Sequence, residues 1–332
     1  MARSAYVLGG TGQIGSAVAL RLAAAGWDVT VAARTRKWLS AAVENVAKFV
    51  SVDRDGGLSL SEDIDALVDV IAMTRADAEQ LLALRDRVGA LVAISSASVY
   101  ADSNGRTLDE ATDRESFPHF AGPIAESQPP TAAGEETYST RKVAMEQTLL
   151  GQDDVPAVVV RPCAVYGPGG EFSREQFFVK RILDGRRVVV LPARGRNVFH
   201  TTSVHNIAEL VSVALDRPCS GVFNCGDPEP PSTLEIGRTV AALLEHEWTE
   251  CLLAGAAVHG VGRTPWGRFE APILLDMTKA EIELGYRPAV TYPEAVAETC
   301  RWLEKERPPL GDYMETFFDY AAEDEYVREL AG

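Results

Sequence analysis

The chain has 332 residues, 46% hydrophobic and 24% charged, proportions of a soluble globular protein that leave no room for long disorder. That length suits one large α/β domain or two fused lobes. With 48 acidic against 32 basic residues the net charge is −16, which argues against general binding to nucleic acid or anionic membranes and obliges any anionic ligand to find local donors.

Tyr6-Val7-Leu8 predicts a buried first strand, followed by a glycine turn. Residues 13–25 carry apolar side chains at Ile14, Val18, Leu20 and Leu22, a helical spacing that stops at Gly26. Apolar runs at 28–33, 49–52, 66–72, 91–95 and 157–160 predict five more strands, with helical stretches near 37–47, 75–88 and 136–150 between most of them. Such alternation predicts an α/β fold, a doubly wound parallel sheet of Rossmann type, over residues 1–165. From 102 to 134 the pattern loosens into a polar stretch with several Pro and Gly, longer than most loops and typical of functional ones. After Gly167-Pro168-Gly169-Gly170 the alternation breaks, which predicts a smaller C-terminal substrate-binding lobe over 166–332, with a segment at about 198–225 returning to the first domain. The acidic, aromatic tail at 312–330 reads as helical, a cap for that lobe or for a partner chain.

Cys163, Cys219, Cys225, Cys251 and Cys300 form no C-x-x-C pair and read as reduced thiols in a cytoplasmic protein. The five His are scattered, and His200 with His205 has poor chelating spacing, so no metal site is expected. No apolar run approaches the ~18–20 residues of a membrane span, and glycines from Gly9 onward with Arg21 interrupt any signal-peptide core.

Leu8-Gly9-Gly10-Thr11-Gly12-Gln13-Ile14-Gly15 joins the first strand to the first helix. Glycines at 9, 12 and 15 permit a tight turn, close approach of a pyrophosphate and close helix–strand contact, while the helix N-terminus favours negative charge. A site for NAD usually places an acid at the end of the second strand to bind ribose hydroxyls. Here that stretch reads Val31-Ala32-Ala33-Arg34-Thr35-Arg36-Lys37, with three cations and no acid. Arg34 and Arg36 suit a 2′-phosphate, so NADP is the expected cofactor, with NAD the alternative.

Tyr138 and Lys142 stand four apart in a helix-like stretch, on one face and within mutual reach. Acid/base work near pH 7 needs a phenol moved by ~4 kcal/mol, which a neighbouring ammonium supplies only where water is excluded. Ser96, in Ile94-Ser95-Ser96-Ala97-Ser98-Val99-Tyr100, ends the fifth strand at the edge where doubly wound sheets bind ligands. Its hydroxyl could donate to a carbonyl oxygen as charge develops there.

In these motifs the chain resembles the extended short-chain dehydrogenase/reductases, the NAD-dependent epimerase/dehydratase family, over nearly its whole length. The resemblance makes Gly9, Thr11, Gly12, Gln13, Ile14 and Gly15 the cofactor loop and Asp53 the acid that binds adenine. It gives Tyr138 the substrate proton, Lys142 the ribose hydroxyls and the lowering of the phenol pKa, and Ser96 the orientation of the reacting oxygen. Residues 161–168 resemble the segment passing under the nicotinamide. Val204-His205-Asn206-Ile207-Ala208, Asn224-Cys225-Gly226 and Asp276-Met277-Thr278-Lys279 echo C-terminal landmarks. Many members dimerise through a four-helix bundle, which implies a homodimer built on the helices near 75–88 and 136–150.

Departures narrow the reaction. Dehydratases of the family carry an Asp-Glu pair where Ala97 and Ser98 stand, so dehydration is not expected. Nucleotide-sugar epimerases commonly carry Asn in place of Ala164 and an Arg near Phe199, although Arg194 and Arg196 lie close by. The expected function is an NADP(H)-linked reductase or dehydrogenase acting on a small hydroxyl or carbonyl compound. A nucleotide-sugar epimerase is the second reading, and a non-catalytic cofactor-binding or RNA-associated regulator the third.

Overall fold

The computed structural model describes residues 2–258, 260–267 and 269–331. Met1, inside the expected first domain, lies outside them. In chain order the first elements are β1 (Ser4–Leu8), α1 (Gln13–Ala24), β2 (Asp28–Ala33), α2 (Ala41–Glu44), β3 (Ala47–Ser51) and β4 (Ala66–Asp69). Then come α3 (Arg75–Leu82), β5 (Leu91–Ile94), α4 (Tyr138–Leu150), β6 (Ala157–Pro162), β7 (Ala164–Tyr166), α5 (Gln176–Leu183) and β8 (Val188–Leu191). The chain continues through β9 (Thr201–Ser203), α6 (Val204–Asp216), β10 (Gly221–Cys225), α7 (Thr233–Leu243) and β11 (Thr249–Leu252). It ends with α8 (Thr278–Glu283), α9 (Tyr292–Glu306), α10 (Asp312–Glu315) and α11 (Tyr320–Ala331).

Two compact units divide these elements. The first holds residues up to Val165 together with Val204–Gly226 and Leu275–Ala289. The second holds Tyr166–Ser203, Asp227–Leu274 and the chain from Val290.

In the first unit seven parallel strands form one sheet in the order β10-β6-β5-β4-β1-β2-β3. This is the doubly wound Rossmann-type α/β architecture expected from the alternation. Successive strand residues point to opposite faces, and both faces are covered, so β4, β5 and β6 are continuous buried runs rather than alternating ones. Val68, Val92 and Val158 join Val18, Leu22, Ile207 and Val211 of α1 and α6 on one face. Leu67, Leu91 and Val159 meet Leu81, Met145 and Leu149 of α3 and α4 on the other. Each such side chain contributes about 1.5–3 kcal/mol on burial.

Helix ends follow local chemistry. Thr74 with Asp77, and Thr137 with Thr140, close capping boxes that start α3 and α4. The helix expected over 37–47 is shorter: Ser40 caps α2 by accepting from Val43 N at 3.3 Å, and residues 34–40 form a loop. The helix expected over 75–88 ends at Leu82 and is followed by a 3-10 turn, Arg85–Arg87. Gly89 just beyond has no room for a side chain, because a Cβ there would lie 2.7 Å from Asp65 O.

The second unit is built on α5, α7 and α9, the parallel pair β8–β11, and an aromatic core of Tyr166, Phe177, Phe178, Trp266 and Tyr292. The acidic tail does form helices, α10 and α11. Arg181, wholly buried, binds Glu323 of α11 at 2.5 Å and stacks 3.8 Å over Phe177. Among the described residues no helix is long and apolar enough to cross a membrane.

Glu175 in this unit receives hydroxyl donors from Ser173 and Tyr292, each at 3.3 Å, yet burial pushes its carboxyl up to about 7. Because the folded value lies above the ordinary 4.5, the folded chain keeps a proton that the unfolded chain releases between those limits. Stability therefore falls as pH rises from about 4.5 to about 7 and is level above, a loss of about 3 kcal/mol. Glu175→Gln is expected to unfold at a higher temperature than the unchanged protein at pH 8 and to lose that advantage toward pH 4.5. Equal melting curves at pH 8 would show that the carboxyl is not strained.

Candidate active site

Leu8 ends β1 where the strand order reverses between β1 and β4, the place at which open sheets of this kind receive ligands. Gly9 turns with φ +78° and donates its N–H to Ala32 O at 2.8 Å. A side chain on Gly9 would lie 2.6 Å from Ile71 Cγ2, and one on Gly15 would lie 2.7 Å from Gly10 Cα. Gly12 differs: a Cβ there meets only Gly9 O, at 3.4 Å, an ordinary contact. Gly12 is the N-cap of α1 and brings no side-chain acceptor, so the partial positive charge of the α1 N-terminus lies at the glycine turn, next to Gln13 and Ile14. Thr11 is buried in the turn.

Arg34, Arg36 and Lys37 occupy the loop after β2 rather than a helix start. Arg36 pairs with Glu44 at 3.0 Å and lies 4.9 Å over Phe49, while Lys37 lies over Trp38. Arg34 is exposed and in no ion pair among the described residues. Asp53, also exposed, caps a 3-10 turn at Arg54–Gly56 by accepting from Asp55 N at 3.3 Å.

Ser96, Tyr138 and Lys142 come together at the carboxyl edge of β5. Ser96 caps a 3-10 turn, Ala97–Val99, and its hydroxyl accepts from Ser98 N at 3.1 Å. Tyr138 opens α4 and hydrogen-bonds to the Ser96 hydroxyl, with 39% of its surface exposed. Lys142, one turn later and buried, donates from Nζ to Ala72 O at 2.7 Å and Ile94 O at 2.9 Å. An ammonium has three protons, so one remains for a further acceptor. The Nζ atom lies 5.8 Å from the centre of the Tyr138 ring.

Burial pushes the Tyr138 hydroxyl above its ordinary 10, the Ser96 hydrogen bond opposes that, and the Asp109 charge adds to it. Burial brings Lys142 down to about 8, against the charges of Asp69, Glu146 and Asp77. By itself the chain holds a protonated phenol beside a weakened ammonium.

Sequence reading missed the residues that seat this trio. Ser139 donates through its hydroxyl to Ser98 O at 2.9 Å and meets Ser98 Oγ at 3.0 Å, and its N–H reaches Asp109 at 2.7 Å. Asp109 lies in the stretch without periodicity, which offers no signal. The Ser98 hydroxyl is thus engaged with α4. In the second unit Arg196 pairs with Glu270 at 2.7 Å, and Arg174 lies 5.4 Å from the centre of the Phe199 ring. Among the described residues no group of three His, Cys, Asp or Glu is placed to hold a metal ion.

The NAD dependent epimerase/dehydratase family matches residues 5–226, which end one residue past β10. The chain belongs to that family. A dTDP-glucose 4,6-dehydratase of Actinoplanes sp. is 29% identical over 231 residues, 68% of this chain and 63% of that protein. The uncharacterized protein y4nG of Sinorhizobium fredii is 24% identical over 211 residues, 58% of this chain and 51% of that protein. The chain spans about half to two thirds of the length of the curated relatives it matches. Among solved structures, a UDP-glucose 4-epimerase superposes with a TM-score of 0.69 at 17% identity, covering 93% of this chain and 100% of that one. MoeE5 in complex with UDP-glucose and NAD superposes with a TM-score of 0.67 at 18% identity, covering 92% and 99%. At such identities the likeness is one of fold.

Proposed function

We propose that the protein interconverts a hydroxyl and a carbonyl group with a nicotinamide dinucleotide, and that it works as an NADP(H)-linked reductase or dehydrogenase on a small molecule. The observation that carries this reading is the meeting of Ser96, Tyr138 and Lys142 at the β5 edge, in the unit that holds the glycine turn. The residues fit the dinucleotide. The turn from Gly9 to Gly15 and the N-terminus of α1 suit a pyrophosphate, and the space at Gly12 admits its approach. Arg34 suits a 2′-phosphate, with Arg36 sharing its charge with Glu44, and Asp53 suits adenine. The remaining proton of Lys142 suits a ribose hydroxyl.

When bound, the nicotinamide supplies the carbon that gives or takes hydride. Tyr138 carries the proton. Its phenol is protonated at neutral pH and can donate to a carbonyl oxygen in the direction of reduction; burial and Asp109 make it a weaker acid, and the Ser96 hydrogen bond opposes them. Ser96 orients that oxygen. In the same reading the chain acts in the cytoplasm as a homodimer joined along α3 and α4; its five cysteines are free thiols, and sedimentation equilibrium tests the dimer.

Nucleotide-sugar epimerisation with NAD is the second reading. It is favoured by the neighbours crystallised with nucleotide sugars and NAD, and by the pairing of Arg36 with Glu44. Fluorescence titration with NADPH and NADH, followed by assays on ketones and on UDP-sugars, separates the two. Arg34→Ala is expected to weaken NADPH by ~10-fold or more and NADH by less than ~2-fold, since only the former offers a dianion to the guanidinium. Equal affinity of the unchanged protein for both cofactors would overturn the NADP assignment.

A further inference from the structure

Asp69 ends β4 inside an otherwise apolar run and is fully buried. A buried carboxylate needs donors and an opposite charge. Its Oδ1 accepts from Ile71 N at 2.9 Å and Ala72 N at 2.8 Å, and its Oδ2 lies 2.9 Å from the Arg54 guanidinium. Arg54 Nε is 3.0 Å from Asp77, whose other oxygen accepts from Met73 N and Thr74 N, both at 2.8 Å. Four consecutive N–H groups, 71 to 74, are thus gripped by two carboxylates joined through one guanidinium. The turn so fixed presents Ala72 O to Lys142 Nζ and the Ile71 side chain to Gly9.

We propose that Asp69, braced by Arg54 and Asp77, is the positioning residue for Lys142: it sets the carbonyl that receives the ammonium and supplies opposite charge behind it. The inference rests on the role given to Lys142 above. The groups facing the lysine agree with it. Asp69 and Asp77 on the β4–α3 side and Glu146 on its own helix favour its charged form, Asp69 most strongly. Glu146 is itself tied to Arg161 of β6, with Nε at 3.0 Å, and Tyr138 faces the lysine as a neutral ring. Burial pushes Asp69 up, and the Arg54 guanidinium with the Ile71 and Ala72 N–H groups opposes that push and favours the charged form.

Asp69→Asn retains an oxygen for the two N–H groups and removes the charge. Dinucleotide affinity of the full chain is measured by NAD(P)H fluorescence from pH 6 to 10. In the unchanged protein affinity is expected to fall off near pH 8 as Lys142 loses its proton. In Asp69→Asn that fall is expected about one pH unit lower, with affinity at pH 6 within ~3-fold. Lys142→Arg, which does not titrate in this range, should abolish the fall, and adding Asp69→Asn to it should produce no shift. A purely structural role for Asp69 would weaken binding equally at every pH. Lys142→Met separates the failures. If that variant binds and turns over normally, the role of the lysine is wrong. If it is crippled while Asp69→Asn keeps the parental profile, only the positioning inference is. Should Asp69→Asn fail to fold, Asp77→Asn carries the test, with a smaller shift in the same direction, and an unmoved profile there overturns the proposal.

Discussion

Tyr138→Phe is expected to lower turnover by ~10²-fold or more while dinucleotide affinity stays within ~2-fold. The substitution removes one oxygen and leaves the ring, so α4 keeps its capping box and Lys142 keeps both carbonyl partners. What disappears is the phenolic proton beside Ser96, and loss of a positioned general acid typically costs 10²–10⁴ in rate. Steady-state rates on whichever carbonyl or sugar substrate the screen yields, with cofactor titrations on the same samples, check both halves. Equal losses in affinity and turnover would mean that the tyrosine binds cofactor and does not move a proton. A fully active variant would remove it from the chemistry.

Gly15→Ala is expected to be the most damaging single methyl in the protein. Its Cβ would press on the Gly9 carbonyl and lie 2.7 Å from Gly10 Cα, both backbone positions fixed by the hydrogen bonds of the turn to Ala32. Neither can yield without moving the start of α1. Overpacking of this kind costs about 1–3 kcal/mol, and displacing the helix N-terminus should weaken dinucleotide binding by ~10²-fold. Gly12→Ala is the control, because its methyl meets only an ordinary contact at 3.4 Å. That variant should melt like the parent yet bind dinucleotide poorly, if the space at Gly12 admits ligand. Unchanged affinity in both variants would place the ligand elsewhere.

The architecture of the first unit was legible because parallel strands covered on both faces leave short apolar runs, here alternating with helix-length segments. Leu91 to Ile94 and Ala157 to Val160 are examples, and the Tyr138–Lys142 spacing stood out for the same local reason. What escaped was whatever depends on distant partners. The run 66–72 read as one strand although Asp69 ends it, since the partner of that buried acid, Arg54, comes from fifteen positions earlier in the chain. The burial that raises the Tyr138 phenol in the chain alone was hidden likewise, because burial is a property of the assembled fold and not of a four-residue interval. The second unit gave little away, its core being aromatic side chains from segments as far apart as Tyr166 and Phe317. Nothing in the periodicity indicated that residues 275–289 join the first unit.

The seventh strand has a practical corollary. β10 lies along the whole of β6, from Gly221 opposite Val158 to Cys225 opposite Pro162, although 58 residues separate the two strands in the chain. A gene fragment stopped at Val165 would encode six strands and leave β6, apolar throughout, as a bare ribbon with unpaired amides along one side. Such a border templates self-association. Recombinant fragments cut there should form inclusion bodies, whereas any shortened version meant to stay dispersed must carry the polypeptide at least through Cys225.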